Sequence, residues 1–131
     1  MECNLYNFAK EYDLIWENSD STEDFAAKTL SLDLSNYEWV LIGFKLTTSS
    51  RSAQIKESHI DATNVIRQQI NLYSPAFTSE GSTAAPYVYS RLLDIKKTGI
   101  TFTTGYRHLT NATTAGVSSA SYVIPVFIMA K

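Results

Sequence analysis

"SNYEWVLIGFKLTTSS" (residues 35–50) decides the fold. Val40, Ile42, Phe44 and Leu46 alternate along it, the two-residue period of a strand that turns one face to a core. The intervening positions hold Trp39, Leu41 and Gly43 before the polar Lys45 and Thr47, so the second face is apolar over much of its length. The last strand, "SYVIPVFIMAK" (121–131), repeats the pattern, with Ile124, Val126 and Ile128 on one side and Val123, Phe127 and Met129 on the other. Antiparallel sheets normally wet one face. Either the N-terminal segment or a long loop covers these second faces, or a second copy of the chain does.

Working outward, the period stays close to two, and Gly, Ser, Asn and Asp cluster between the runs. This predicts an all-β domain, an antiparallel, jelly-roll-like sandwich of about eight strands over residues 13–131. Strands are expected at 13–19, within 25–35, within 35–50, at 53–61, 87–95, 100–109 and 121–131, while 65–74 reads as strand or helix. Leu5, Phe8 and Tyr12 are spaced for a short helix, so residues 1–12 read as a helix or a lead-in. A loop at 96–99 pairs Ile95 with Ile100, Leu93 with Phe102 and Tyr89 with Tyr106, with Gly99 taking the left-handed position. Pro125 lacks a ladder donor and marks an edge or a bulge. The segments 75–86 and 110–120 are expected to be exposed loops.

The 131 residues make one domain, large enough for its own core. Ser and Thr are about a fifth of the chain, and the net charge is −2. No basic stripe invites nucleic acid, the nearest approach being Lys96 and Lys97. No apolar run is long enough to insert in a membrane. The N-terminus lacks the charged and apolar regions of a secretory signal. Cys3 is the single cysteine.

Catalytic signatures are missing from the sequence. His59 and His108 have no second ligand at metal spacing, and no nucleophile elbow or phosphate loop occurs. Asp20, Glu23 and Asp24 gather in one loop, where Ser21 and Asp24 read as a capping pair and not as a calcium site. No metal, cofactor or enzymatic activity is expected. What remains is a binding surface: Tyr73, Tyr87, Tyr89, Tyr106 and Tyr122 with Arg91 and Arg107, among small hydroxyl residues that suit sugar recognition. Trp39, Leu41, Val123, Phe127 and Met129 are the corresponding candidates for an interface between copies.

Leu14, Trp16 and Asn18, then Phe25, Ala26 and Ala27, then "SLDLSNY" (31–37), followed by "GITFTTGY" (99–106) and "VIPVFIMAK" (123–131), carry a resemblance. Together they resemble the C-terminal domain of tail fibre or minor structural (tail) proteins of phages and prophages of Firmicutes, in matching order over about half the chain. The resemblance implies a β-sandwich, homotrimeric, in the virion tail. It would be made in the host cytoplasm and attach to a host surface polysaccharide or teichoic acid beside other tail proteins. A structural role in trimerisation or assembly is the alternative. The shared residues are core and turn features, so no site residue carries over.

Overall fold

A computed structural model describes residues 11–73, 78–79, 82–83, 87–109 and 116–131. Its strands are β1 (Asp13–Glu17), β2 (Lys28–Ser31), β3 (Trp39–Thr47), β4 (Ala53–His59), β5 (Ile66–Tyr73) and β6 (Thr78–Ser79). They continue with β7 (Ser82–Thr83), β8 (Tyr87–Lys96), β9 (Gly99–Phe102), β10 (Tyr106–Leu109), β11 (Val117–Ser118) and β12 (Tyr122–Ala130). Among the described residues there is no helix. Residues 11 and 12 form a turn into β1; the rest of the expected N-terminal helix lies outside the described residues.

The chain is an all-β sandwich. Sheet A has the order β1-β12-β3-β4. In sheet B, β8 pairs with β5 on one side and with β9 and then β10 on the other. β2 continues outward from β9, and β11 from β10. Six strands thus occupy four rows, and two four-row sheets face each other. β6 and β7 form a separate ribbon inside the segment expected to be loop. Within 65–74, ambiguous in sequence, Ile66–Tyr73 is strand, with Ile66, Gln68, Ile70 and Leu72 on one side of β5.

Val40, Ile42 and Phe44 of β3 meet Leu93, Ile95, Ile100 and Phe102 of sheet B in one core. Phe102 stands edge-on to Phe25 at 5.4 Å and lies 6.5 Å from Phe44, aromatic geometry that adds to plain burial. Ile95 faces Ile100 and Leu93 faces Phe102, as the turn arithmetic predicts, and Gly99 takes a φ of 150°. The register then slips. Tyr106 faces Ser90, and Arg107 faces Tyr89, so the expected Tyr89–Tyr106 pair does not form. Three residues, Thr103 to Gly105, lie opposite only Arg91 and Leu92, which is a β-bulge.

The second faces of β3 and β12 are covered partly from within the chain. Leu41 is only 6% exposed. The buried Tyr12 reaches over β12 and β3, and its hydroxyl donates to Glu57 Oε2 at 2.5 Å on β4. Burial first, and the Glu57 carboxylate second, push the Tyr12 phenol well above its ordinary pKa. The Phe127 ring lies against Gly43, where a Cβ would sit 2.4 Å from it. Val123 must be reassigned from the expected interface to the core. It is 0% exposed, because its φ of 51° and a bulge between Pro125 and Phe127 upset the alternation. Trp39, Phe127 and Met129 remain half-buried on the outer face. β12 is an inner row of its sheet, so Pro125 marks the bulge and not an edge.

Candidate functional site

The residues expected to bind ligand separate by the parity of their strands. On β8, Tyr87, Tyr89, Arg91, Leu93 and Ile95 point toward sheet A, and Val88, Ser90 and Leu92 point outward. On the outer face, Tyr73 stands beside Val88, and Tyr106 beside Ser90.

Arg91 belongs to no exposed surface. It is 1% exposed, and its guanidinium points into the interior. Nε donates to Val123 O at 2.8 Å, and Nη1 to Phe25 O at 3.1 Å and Thr103 O at 2.6 Å. Nη2 donates to Tyr122 O at 2.7 Å and Ala120 O at 3.4 Å. Five carbonyls from three separate segments therefore close on one fork, which suits a rigid planar donor better than a lysine. Burial lowers the pKa of Arg91 to about 10, which leaves it charged at neutral pH. The in-phase run Tyr89, Arg91, Leu93, Ile95 is the sequence signal that marks it as inward-facing.

Tyr87, Tyr89 and Arg107 do come together, with Tyr122, at one end of the sandwich. The Arg107 guanidinium lies 4.6 Å from the Tyr87 ring centroid and 5.2 Å from that of Tyr122. Tyr89 meets Tyr122 edge-on at 5.2 Å. The Tyr89 hydroxyl holds the Arg107 pKa above its ordinary value. Tyr89 is buried, so this group closes the end of the core and offers only its rim, Tyr87 and part of Arg107, to solvent.

The outer face of sheet B is the better candidate. Beside the bulge lies a depression of about 270 Å³, lined by Gln69, Ser90, Arg91, Leu92, Thr103, Thr104, Tyr106 and Ser118. Sequence reasoning finds Tyr106 and Arg91 of this set, since the others converge through pairing across β5, β8 and β10. The Tyr106 hydroxyl accepts from Gly116 N at 2.9 Å, and its ring fills the space where a Cβ of Gly116 would be. That contact fixes the ring before any ligand arrives. Thr103 Oγ1 donates to Leu92 O and accepts from Leu92 N, both at 3.1 Å, so a hydroxyl stands in for the interrupted ladder. Tyr73, at 61% exposure, extends the surface along β5.

No family model matches this chain, and no curated protein or solved structure matches it. Among the described residues, no three His, Cys, Asp or Glu side chains are grouped to hold a metal ion. The acidic loop is tied up internally. Asp20 accepts from Thr22 N at 2.9 Å, and these Thr22 bonds lower its pKa. Lys45 reaches beneath it to Ser21 O at 3.0 Å. No helix among the described residues is long and apolar enough to cross a membrane. The expected receptor loops at 75–86 and 110–120 lie mostly outside the described residues, as does the lead-in at 1–10.

Proposed function

We propose that this chain is a non-enzymatic head domain of a phage tail fibre, which attaches to a bacterial surface glycan. One observation carries the reading: the depression on sheet B pairs a pre-set aromatic ring, Tyr106, with hydroxyl and amide side chains on rigid strands. Such a surface stacks one face of a sugar and meets its hydroxyls with Gln69, Thr103, Thr104 and Ser118. The sequence resemblance to tail-fibre domains points the same way and supplies the biological setting: a virion tail, assembled in the host cytoplasm among other tail proteins.

A shallow site of this kind binds weakly, so a homotrimer is part of the proposal. Joining sites raises avidity by about 10²–10⁴ without new contacts. Trp39, Phe127 and Met129, half-buried on the outer face of sheet A, are the side chains such an assembly would cover. The same face favours a second reading, a trimerisation or assembly domain with no receptor site of its own. Labelled protein incubated with candidate host cells separates the two. Attachment is expected to decorate susceptible cells and to weaken about fivefold or more per site with Tyr106→Ala, the scale of a lost aromatic contact. Trimers in sedimentation that decorate no cell favour the assembly role, and a clean monomer removes the trimer.

A further inference from the structure

β4 carries its side chains the wrong way round for a sandwich strand. Gln54, Lys56 and Ser58 lie opposite the core residues Phe44, Ile42 and Val40, so its inward face is polar. Its apolar residue, Ile55, points outward and is 62% exposed. Among the described residues, β4 is the last row of sheet A, and β5, which there pairs only with β8, is the last row of sheet B. These two unpaired edges face each other across a seam. Gln68 Nε2 donates to Ser58 Oγ at 3.0 Å and closes the seam at one end. Beyond that bond it opens into a cleft of about 240 Å³ with Phe44, Ile70 and Leu72 as its floor. Gln54, Ile55, Lys56, Gln69 and Asn71 form its rim, where Gln69 Nε2 donates to Asn71 Oδ1 at 2.8 Å. Among the described residues, neither Gln54 nor the Lys56 ammonium has a hydrogen-bond or ion-pair partner.

We infer that this seam is a second ligand site, for one sugar or polyol unit carrying a negative charge. The apolar floor accepts the C–H face of such a unit. The amides of Gln54 and Asn71 both donate and accept, as hydroxyl groups require. Lys56 supplies the single charge and selects an anion over a neutral sugar. The site lies across the β5 edge from the depression holding Tyr106; the two share Gln69, but Gln54 and Lys56 line the seam and not the depression. Loss of seam binding through Lys56→Gln leaves cell decoration through Tyr106 intact, so failure of one reading is distinguishable from failure of the other.

An edge strand also uses inward-pointing charge to deter pairing with other chains, and the experiment must exclude that role. Backbone amide spectra of the full chain are recorded during titration with sodium glucuronate, glucose and inorganic phosphate. Glucuronate is expected to shift Phe44, Gln54, Lys56 and residues 69–72 saturably, and to bind about threefold more tightly than glucose, the scale of one solvent-exposed ion pair. Lys56→Gln abolishes that preference. On the unaltered chain, salt at about 1 M does the same, since screening then acts over about 3 Å. The proposal is overturned if neither sugar shifts the seam, if phosphate alone reproduces the shifts, or if Lys56→Gln keeps the preference. It is equally overturned if the variant's only change is self-association.

Discussion

Arg91 is a buried cation whose hydrogen-bond partners, among the described residues, are all backbone carbonyls. Removing it strips a donor from five oxygens at once, and each buried acceptor without a donor costs about 1–3 kcal/mol unless water enters. Arg91→Met, similar in length and apolar, is expected to lose about 3–5 kcal/mol, the range for breaking a buried charged network. Urea unfolding followed by tryptophan emission measures it, and a loss below about 1 kcal/mol, the worth of a single ordinary hydrogen bond, contradicts the account. Arg91→Lys keeps the charge but offers three donors to five acceptors, so it should fall between the two. A residue that composition alone ranks with surface tyrosines is thus the tie between both sheets and the bulge.

At the scale of the element, the bulge at Thr103–Gly105 decides what β10 presents. Gly105 is buried, and a Cβ there would lie 2.3 Å from Tyr122 O and 2.8 Å from Ser119 O. Both atoms are backbone and cannot swing aside. Gly105→Ala should therefore cost about 1–3 kcal/mol, the usual toll of overpacking, and lower the melting temperature accordingly. An unchanged melting temperature would mean that β11 is not held against the bulge. The elements differ in how far sequence reveals them. β3, β8, β12 and the turn after β8 follow from alternation and loop arithmetic, because neighbouring residues determine them. The slip at 103–105 and the inward turn of Val123 depend on carbonyls captured by Arg91 from distant segments, and no local period records that. The site on sheet B was half legible for the same reason: a tyrosine can be noticed alone, whereas Gln69, Thr103 and Ser118 converge only once three strands are paired.

For the whole molecule, the acid limb of stability can be derived from its aspartates. Asp20, Asp33 and Asp61 accept from nearby Thr, Ser or Asn groups, and Asp94 accepts from Arg67. These bonds lower the pKa of all four. Each carboxylate binds its proton less readily folded than unfolded, so acid favours the unfolded chain. The stabilisation is complete above the ordinary aspartate value of about 3.9 and is lost as pH falls through the lowered folded values. Thermal melts between pH 7 and 2 should show a plateau and then a decline beginning near pH 4, shallower in Asp61→Asn. A melting temperature flat to pH 2 would contradict this.

Along β10 the extra residue of the bulge acts as a parity bit. Strict alternation onward from Phe102 would turn Tyr106 inward and Arg107 outward; the one residue in excess reverses both, and so sets an aromatic ring and not a cation on the outer face. A single unpaired residue therefore decides which of two recognition chemistries this face displays.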